Sequence, residues 1–365
     1  MSKTIIIIGA GLAGLSAALQ AAENGCNVKL VSSLPSERAQ SVMAEGGINA
    51  ALNTKDENDS PEEHFTDTIN AACGLADPNA VWGMTQAAPE LVHWLLKLGV
   101  KFNMSGHDDV DLRNFGGQKK KRTAFAQSDT GKQIMTAMID AVRRKEASGM
   151  VERFSHHSFL TLRLCGNICC GCVIRDEYSQ ETVELPGDAV IVATGGMHGL
   201  FGNTTGSLSN TGEVTAELFR LGVPLANGEM IQYHPTTVKC GGKRMLISEA
   251  ARGEGGRLFA MKDGKQWYFM EEKYPELGNL MPRDITAREI WKVSHESEVF
   301  LDMTEISEEI ISNKLSGLAD DCMTYLHKDI RKEPVSVLPG IHYFMGGILV
   351  DEQHRTPIQN LYAAG

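Results

Sequence analysis

The chain has 365 residues, 42% hydrophobic and 22% charged. That composition belongs to a globular protein with room for about two domains, not to a disordered or fibrous one. The net charge is −11, and the only basic run is Lys119-Lys120-Lys121-Arg122, which reads as solvated surface. A nucleic-acid binder would need a concentrated basic face, so that class is excluded.

Residues 4–8, "TIIII", are β-branched and uninterrupted, and predict a short buried parallel strand. Gly9-Ala10-Gly11-Leu12-Ala13-Gly14 follows, then "LSAALQAAENG", which predicts a helix ended by Gly25. "NVKLVSS" predicts the next strand. This strand–turn–helix–strand order is the context that a G-x-G-x-x-G dinucleotide cradle requires. Gly9 permits the tight turn, Gly11 lets backbone approach a pyrophosphate and Gly14 lets helix pack on strand. The helix N-terminus then offers N–H groups to phosphate. The same glycines argue against reading the uncharged stretch Ile5–Ala22 as a signal peptide or membrane span.

The second strand ends near Ser32, where an NAD-binding chain carries an acid for the ribose. A hydroxyl bonds ribose more weakly than a carboxylate does. That weakens NAD more than FAD, because FAD has anchors further along the chain. "DAVIVATGG" (188–196) predicts a buried strand running into Ala193-Thr194-Gly195-Gly196, and "NLYAAG" (360–365) has the same form. Ahead of both, "NICCGCVIRD" (167–176) predicts a strand in which Cys169, Cys170 and Cys172 serve as small hydrophobes. No second cysteine knuckle follows Cys165–Cys172, so no metal site is expected. The scattered remaining cysteines fit a reducing, cytoplasmic setting.

Ten ordered segments carry a family resemblance: "GAGLAG", "AEGGINAAL", "KKRTAFAQSDTG", "VIVATGG", "NTTGSLSNTGE", "EMIQYHPT", "ISEAARGEGG", "MPRDITARE", "PGIHYFMGGI" and "LYAAG". The chain resembles the flavoprotein subunits of succinate dehydrogenases and fumarate reductases, a superfamily that includes L-aspartate oxidase. The resemblance implies an α/β fold: a Rossmann-like FAD-binding domain interrupted by a smaller α+β capping domain. The FAD domain would comprise residues 1–231 and 339–365, and the cap residues 232–338, with the substrate between them.

It further implies a flavoprotein oxidoreductase moving hydride between flavin N5 and a C4 dicarboxylate, fumarate or succinate. His234 and His342 match the family's carboxylate-binding histidines. Ser248 stands where the family often has Thr, and Thr236 is a weaker candidate for the substrate. Arg283 matches the proton donor or acceptor. A guanidinium has an ordinary pKa above ~12, so it needs a relay to be reprotonated. Glu249 and Arg252, three apart and on one face if helical, would supply it. Cofactor contacts are expected from Gly9, Ala10, Gly11, Gly14, Ser32, Ser41, Glu45, Gly46, Gly47, Ala193, Thr194, Gly195, Glu213 and Gly346. Glu213 replaces the usual Asp, and Met345-Gly346-Gly347 would approach the flavin. Arg122-Thr123 and Asp129-x-Gly131 resemble the segment meeting FAD and the site mouth.

Two departures qualify this. Where membrane-bound relatives carry the histidine that bonds FAD covalently, this chain has Gln40, so non-covalent FAD is expected, with a tilt toward fumarate reduction. The family pattern also continues beyond "LYAAG" with a Glu, a second substrate-binding Arg and a helical region. The chain therefore reads as C-terminally truncated, and a catalytically incomplete flavin-binding fragment is an alternative, as is L-aspartate oxidase. An iron–sulfur subunit and membrane anchor subunits are implied partners, with the chain peripheral at the inner face of the membrane.

Overall fold

The computed structural model describes residues 2–106, 108–115 and 118–365. Its centre is a five-stranded parallel sheet. Strand β1 (Thr4–Ile8) leads through helix α1 (Leu12–Glu23) to β2 (Asn27–Ser32). Helices α2 (Pro61–Ala71), α3 (Pro78–Leu98) and α4 (Thr130–Ala147) then precede β3 (Val151–Ser155). The antiparallel strands β4 (His157–Cys165), β5 (Ile168–Asp176) and β6 (Thr182–Pro186) form a separate sheet before the chain re-enters the first as β7 (Ala189–Val192). The last strand, β13 (Leu361–Ala363), completes the order β13-β7-β1-β2-β3.

Alternation along β1 explains the layering. Ile7 joins a core that contains Leu15, Ala18, Leu19 and Ala22 of α1 and Met135, Met138, Ile139 and Val142 of α4. Both helices present apolar residues at i, i+3, i+4 and i+7, the spacing of one helical face. Ile6 and Ile8 point the other way, into a core shared with Leu162, Ile174 and Leu185 of the antiparallel sheet. Cys169 and Cys172 are buried in that layer, consistent with small apolar side chains. Cys165 at the hairpin end is exposed.

Between α5 (Glu213–Arg220) and β13 the chain builds a second unit. Strands β8 (Ile231–Cys240), β9 (Lys243–Leu246) and β12 (Leu338–Phe344) form one antiparallel sheet. Helix α6 (Glu249–Gly253), strand β10 (Arg257–Lys262), helix α7 (Arg283–Val293) and strand β11 (Val299–Asp302) lie between its arms. A separate core has all its buried members between Ile247 and Val337. Residues 232 and 338, the expected limits of the cap, both fall within the paired strands β8 and β12, which pair from Ile231↔Phe344 to Thr237↔Leu338 with register shifts after Gln232 and after His234. The α/β architecture of a parallel-sheet domain with an inserted α+β unit is the one expected. Among the described residues, no helix is long and apolar enough to cross a membrane.

Candidate active site

The first site is the turn after β1. Gly9 has φ +110°, and a Cβ there would sit 2.2 Å from the Ala193 carbonyl oxygen, so β1 and the segment after β7 touch through bare backbone. A Cβ on Gly14 would lie 1.8 Å from the Gly9 oxygen. Only glycine closes this turn at both places. Helix α1 has Gly11 as its N-cap residue, which offers no side-chain cap, and the Leu12 N–H donates to Ser41 Oγ at 3.2 Å.

A cavity of about 430 Å³ opens at this helix end. Gly9, Ala10, Gly11, Ser32, Ser41, Ala193, Thr194, Gly195 and Glu213 all line it, and so do Gln40 and the terminal Ala364-Gly365. Ser32 Oγ is buried there without a hydrogen-bond partner among the described residues. Leaving such a group unpaired costs roughly 1–3 kcal/mol, and a ribose hydroxyl would pair it. A bare helix N-terminus, a glycine cradle and an orphaned hydroxyl at the end of β2 fit the phosphates and ribose of a dinucleotide.

The segment Glu45-Gly46-Gly47 lies outside that cavity's wall. Buried Arg113 donates to the carbonyls of Glu45, at 3.2 Å, and of Gly46. The guanidinium stacks 4.3 Å over the Phe125 ring. Burial pushes the Glu45 carboxyl up to about 8, helped by Asp321 and Asp129 and opposed by Arg113 and Ser248. Gly346 is explained by the protein itself, since a Cβ there would meet the Asn227 oxygen at 2.0 Å. Met345, beside it, lines a second and larger cavity.

That cavity, about 1010 Å³, runs between α2 and α7. On its wall Arg283, first residue of α7, donates from Nε to Glu249 Oε2 at 2.7 Å and from Nη1 to Gln232 Oε1 at 2.8 Å. Glu249 Oε1 stands 3.3 Å from Arg252 Nη2, one turn along α6. Glu249 and Arg252 are both buried, and Arg252 also donates to the Asn279 carbonyl at 2.5 Å. The three side chains form one line of alternating charge from cavity to interior.

Two histidines sit beside this line. The rings of His234 and His342 are 5.1 Å apart, edge to face. Burial and the nearby Arg283 hold both below the usual imidazole range, His342 down to about 4. Both rings are therefore neutral at pH 7. His234 Nε2 is buried with no partner among the described residues. His342 Nδ1 meets Thr205 Oγ1 at 2.7 Å. Ser248 caps α6, its Oγ accepting from Ala250 N–H at 3.4 Å. Thr236 is buried, and its hydroxyl donates to the Ile247 carbonyl at 2.8 Å.

Arg122 lines the larger cavity fully buried, bound by Asp59 at 2.7 Å and Asp67 at 2.9 Å. Of its lysine neighbours, expected from sequence to be solvated, Lys119 and Lys121 are exposed and Lys120 is half-buried. Lys120 pairs with Glu63 and donates to the Asn58 carbonyl at 2.7 Å, and Lys121 pairs with Glu57 at 3.5 Å. The acidic stretch 57–63 folds across this basic run and neutralises it. Sequence reasoning passed over three residues of the site. Gln232 stood two places before His234 in the same motif, and that was a usable signal. Thr205 stood within the segment "NTTGSLSNTGE", but its partner His342 is remote in sequence; Arg113 gave no signal.

Residues 4–365 match the FAD binding domain family, and the chain belongs to it. FAD is accordingly its cofactor. The chain is 43% identical to the succinate dehydrogenase flavoprotein subunit of Bacillus subtilis, over all of this chain and 64% of that protein. It is 33% identical to L-aspartate oxidase 1 of Ralstonia nicotianae, over all of this chain and 68% of that one. The structure superposes on that of E. coli quinol fumarate reductase with a TM-score of 0.91 and 29% identity, covering all of this chain and 64% of that one. The chain thus spans about two thirds of the length of these relatives.

Proposed function

We propose that this chain carries the flavin- and substrate-binding core of an oxidoreductase that interconverts fumarate and succinate, with residues 232–338 as the cap over the substrate. The line Arg283–Glu249–Arg252, running from the cavity to the interior beside two neutral histidines, carries the reading. Bound FAD supplies the hydride acceptor or donor. Gly9, Ala10, Gly11, Gly14, Ser32, Ser41, Ala193, Thr194, Gly195 and Glu213 would hold its nucleotide part, and Glu45, Gly46, Gly47 and Gly346 would stand nearer the flavin.

The protein's own residues have two tasks. His234, His342 and Ser248 hold the substrate carboxylates by hydrogen bonds to anionic oxygens, which are stronger than neutral ones. Thr236 supports His234 from behind. Arg283 moves the proton to or from the substrate carbon. Its Nε is already bonded to Glu249, so a proton lost at the guanidinium is returned along Glu249 and Arg252. Gln232 fixes the guanidinium from the other side. Fixing donor and acceptor this way lowers the barrier by positioning.

Gln40 on the wall of the FAD cavity cannot form the histidyl bond to flavin. We therefore infer non-covalent FAD and physiological fumarate reduction. The relatives named as subunits support an iron–sulfur partner, with attachment at the inner membrane face through anchor subunits. L-aspartate oxidation is the second reading, favoured by the 33% identical relative.

Purified protein loaded with FAD should oxidise a reduced viologen dye when fumarate is added. Arg283→Ala should retain flavin and lose at least roughly 100-fold in turnover, the usual weight of a proton-transfer group. Peroxide release driven by L-aspartate, with no fumarate turnover, would replace this reading with the second.

A further inference from the structure

The loop Thr204-Thr205-Gly206 lies 137 residues from His342 in sequence and directly against it in space. It is fastened to β12 by backbone. The Thr205 N–H donates to the Ile341 carbonyl at 2.9 Å, and the Thr204 hydroxyl lies 2.8 Å from His198 Nδ1 and 3.2 Å from that same Ile341 oxygen. The Thr205 hydroxyl lies 3.5 Å from it, at the limit of a hydrogen bond, but only 2.7 Å from His342 Nδ1. The shorter contact takes its proton.

We infer that Thr205 is a positioning residue: by donating to His342 Nδ1 it fixes the ring as the Nε2–H tautomer, which presents a hydrogen-bond donor to the substrate carboxylate. A neutral imidazole has one donor and one acceptor nitrogen. In the other tautomer, Nε2 would carry a lone pair and repel the same carboxylate. The ring is neutral at pH 7, so donation through Nε2 depends on the tautomer and not on a positive charge. Thr205 is buried in the loop before α5, whereas His342 lies on β12. The contact therefore also ties β12 to that loop.

This rests on the dicarboxylate reading for its ligand but not for its tautomer, and the experiment separates the two. Uniformly 15N-labelled, FAD-loaded protein is examined by long-range imidazole correlation spectra, with His342→Gln assigning the signals. Wild type is expected to show His342 with a protonated Nε2. Thr205→Val keeps the shape and removes the hydroxyl, and should shift His342 toward the Nδ1–H form. Thr205→Ser should restore the wild-type pattern. In fumarate turnover, Thr205→Val should raise KM roughly tenfold, the worth of one hydrogen bond to a charged group, with kcat within about twofold. A wild-type His342 in the Nδ1–H form, or a tautomer unmoved by Thr205→Val, would overturn the inference. A tautomer that responds to Thr205 in protein with no fumarate turnover upholds it and removes the substrate reading instead.

Discussion

Glu249 occupies the most demanding position of any single residue here. It is a buried carboxylate between two guanidiniums, bonded to Arg283 at 2.7 Å and 3.3 Å from Arg252. Removing one partner of such a group strands the others, at a cost of ~3–5 kcal/mol. Glu249→Gln keeps shape and most hydrogen bonding but cannot pass a proton. It also leaves two guanidiniums without their counter-charge, so the denaturation midpoint should fall, while turnover per folded, FAD-loaded molecule falls by roughly 100-fold or more. Wild-type turnover per folded, FAD-loaded molecule would mean that Glu249 is structural only. Glu45 makes the opposite electrostatic case. Its folded-state pKa is raised from 4.5 to about 8, so its contribution is fully present below pH 4.5 and is lost as pH rises toward 8. Glu45→Gln mimics the protonated acid. Its urea midpoint should exceed that of wild type at pH 8, and the difference should close toward pH 5.

At the scale of elements, the turn from β1 into α1 joins local and remote sequence. Gly14→Ala places a methyl 1.8 Å from the Gly9 oxygen, so the helix must move off the strand. The expected outcome is a loss of FAD affinity measured by flavin fluorescence titration, along with ~1–3 kcal/mol of stability, the cost of overpacking. Retained affinity would mean that α1 shifts without disturbing the cradle. This turn also marks what could be read without a structure. Strand β1, helix α1 and strand β2 were legible because hydrophobic period, glycine spacing and chain order agree within about thirty residues. The Glu249–Arg252 pairing was legible because helical spacing is local. The partners of Glu45 were not, since Asp321 and Asp129 are remote from it in sequence. Nor was the folding of residues 57–63 over Lys120 and Lys121, because no period links an acidic stretch to a basic one sixty positions on.

For the whole molecule, the cofactor cavity draws on residues near positions 8–13, 32–41, 193–196, 209–214 and 364–365. A ligand touching all of these stabilises the native chain alone. At a hundredfold excess over Kd it should add about 2.7 kcal/mol, visible as a rise of several degrees in Tm. Because Gln40 offers no covalent link, acid precipitation should release all of the flavin into the supernatant. Flavin retained in the pellet would overturn non-covalent attachment.

The strand order β13-β7-β1-β2-β3 bears on how the protein is made. The first strand synthesised lies in the middle of the sheet, and its neighbour's other partner is Leu361–Ala363. At roughly 5–20 residues per second, translation separates these strands by tens of seconds. During that interval "TIIII" gains first β2, then β7 and the wall from 193–196, while the wall from 364–365 comes after β13. The cofactor cradle is thus closed only once β13 has been made. Until then a nascent chain has to keep the apolar edge of β7 from pairing wrongly.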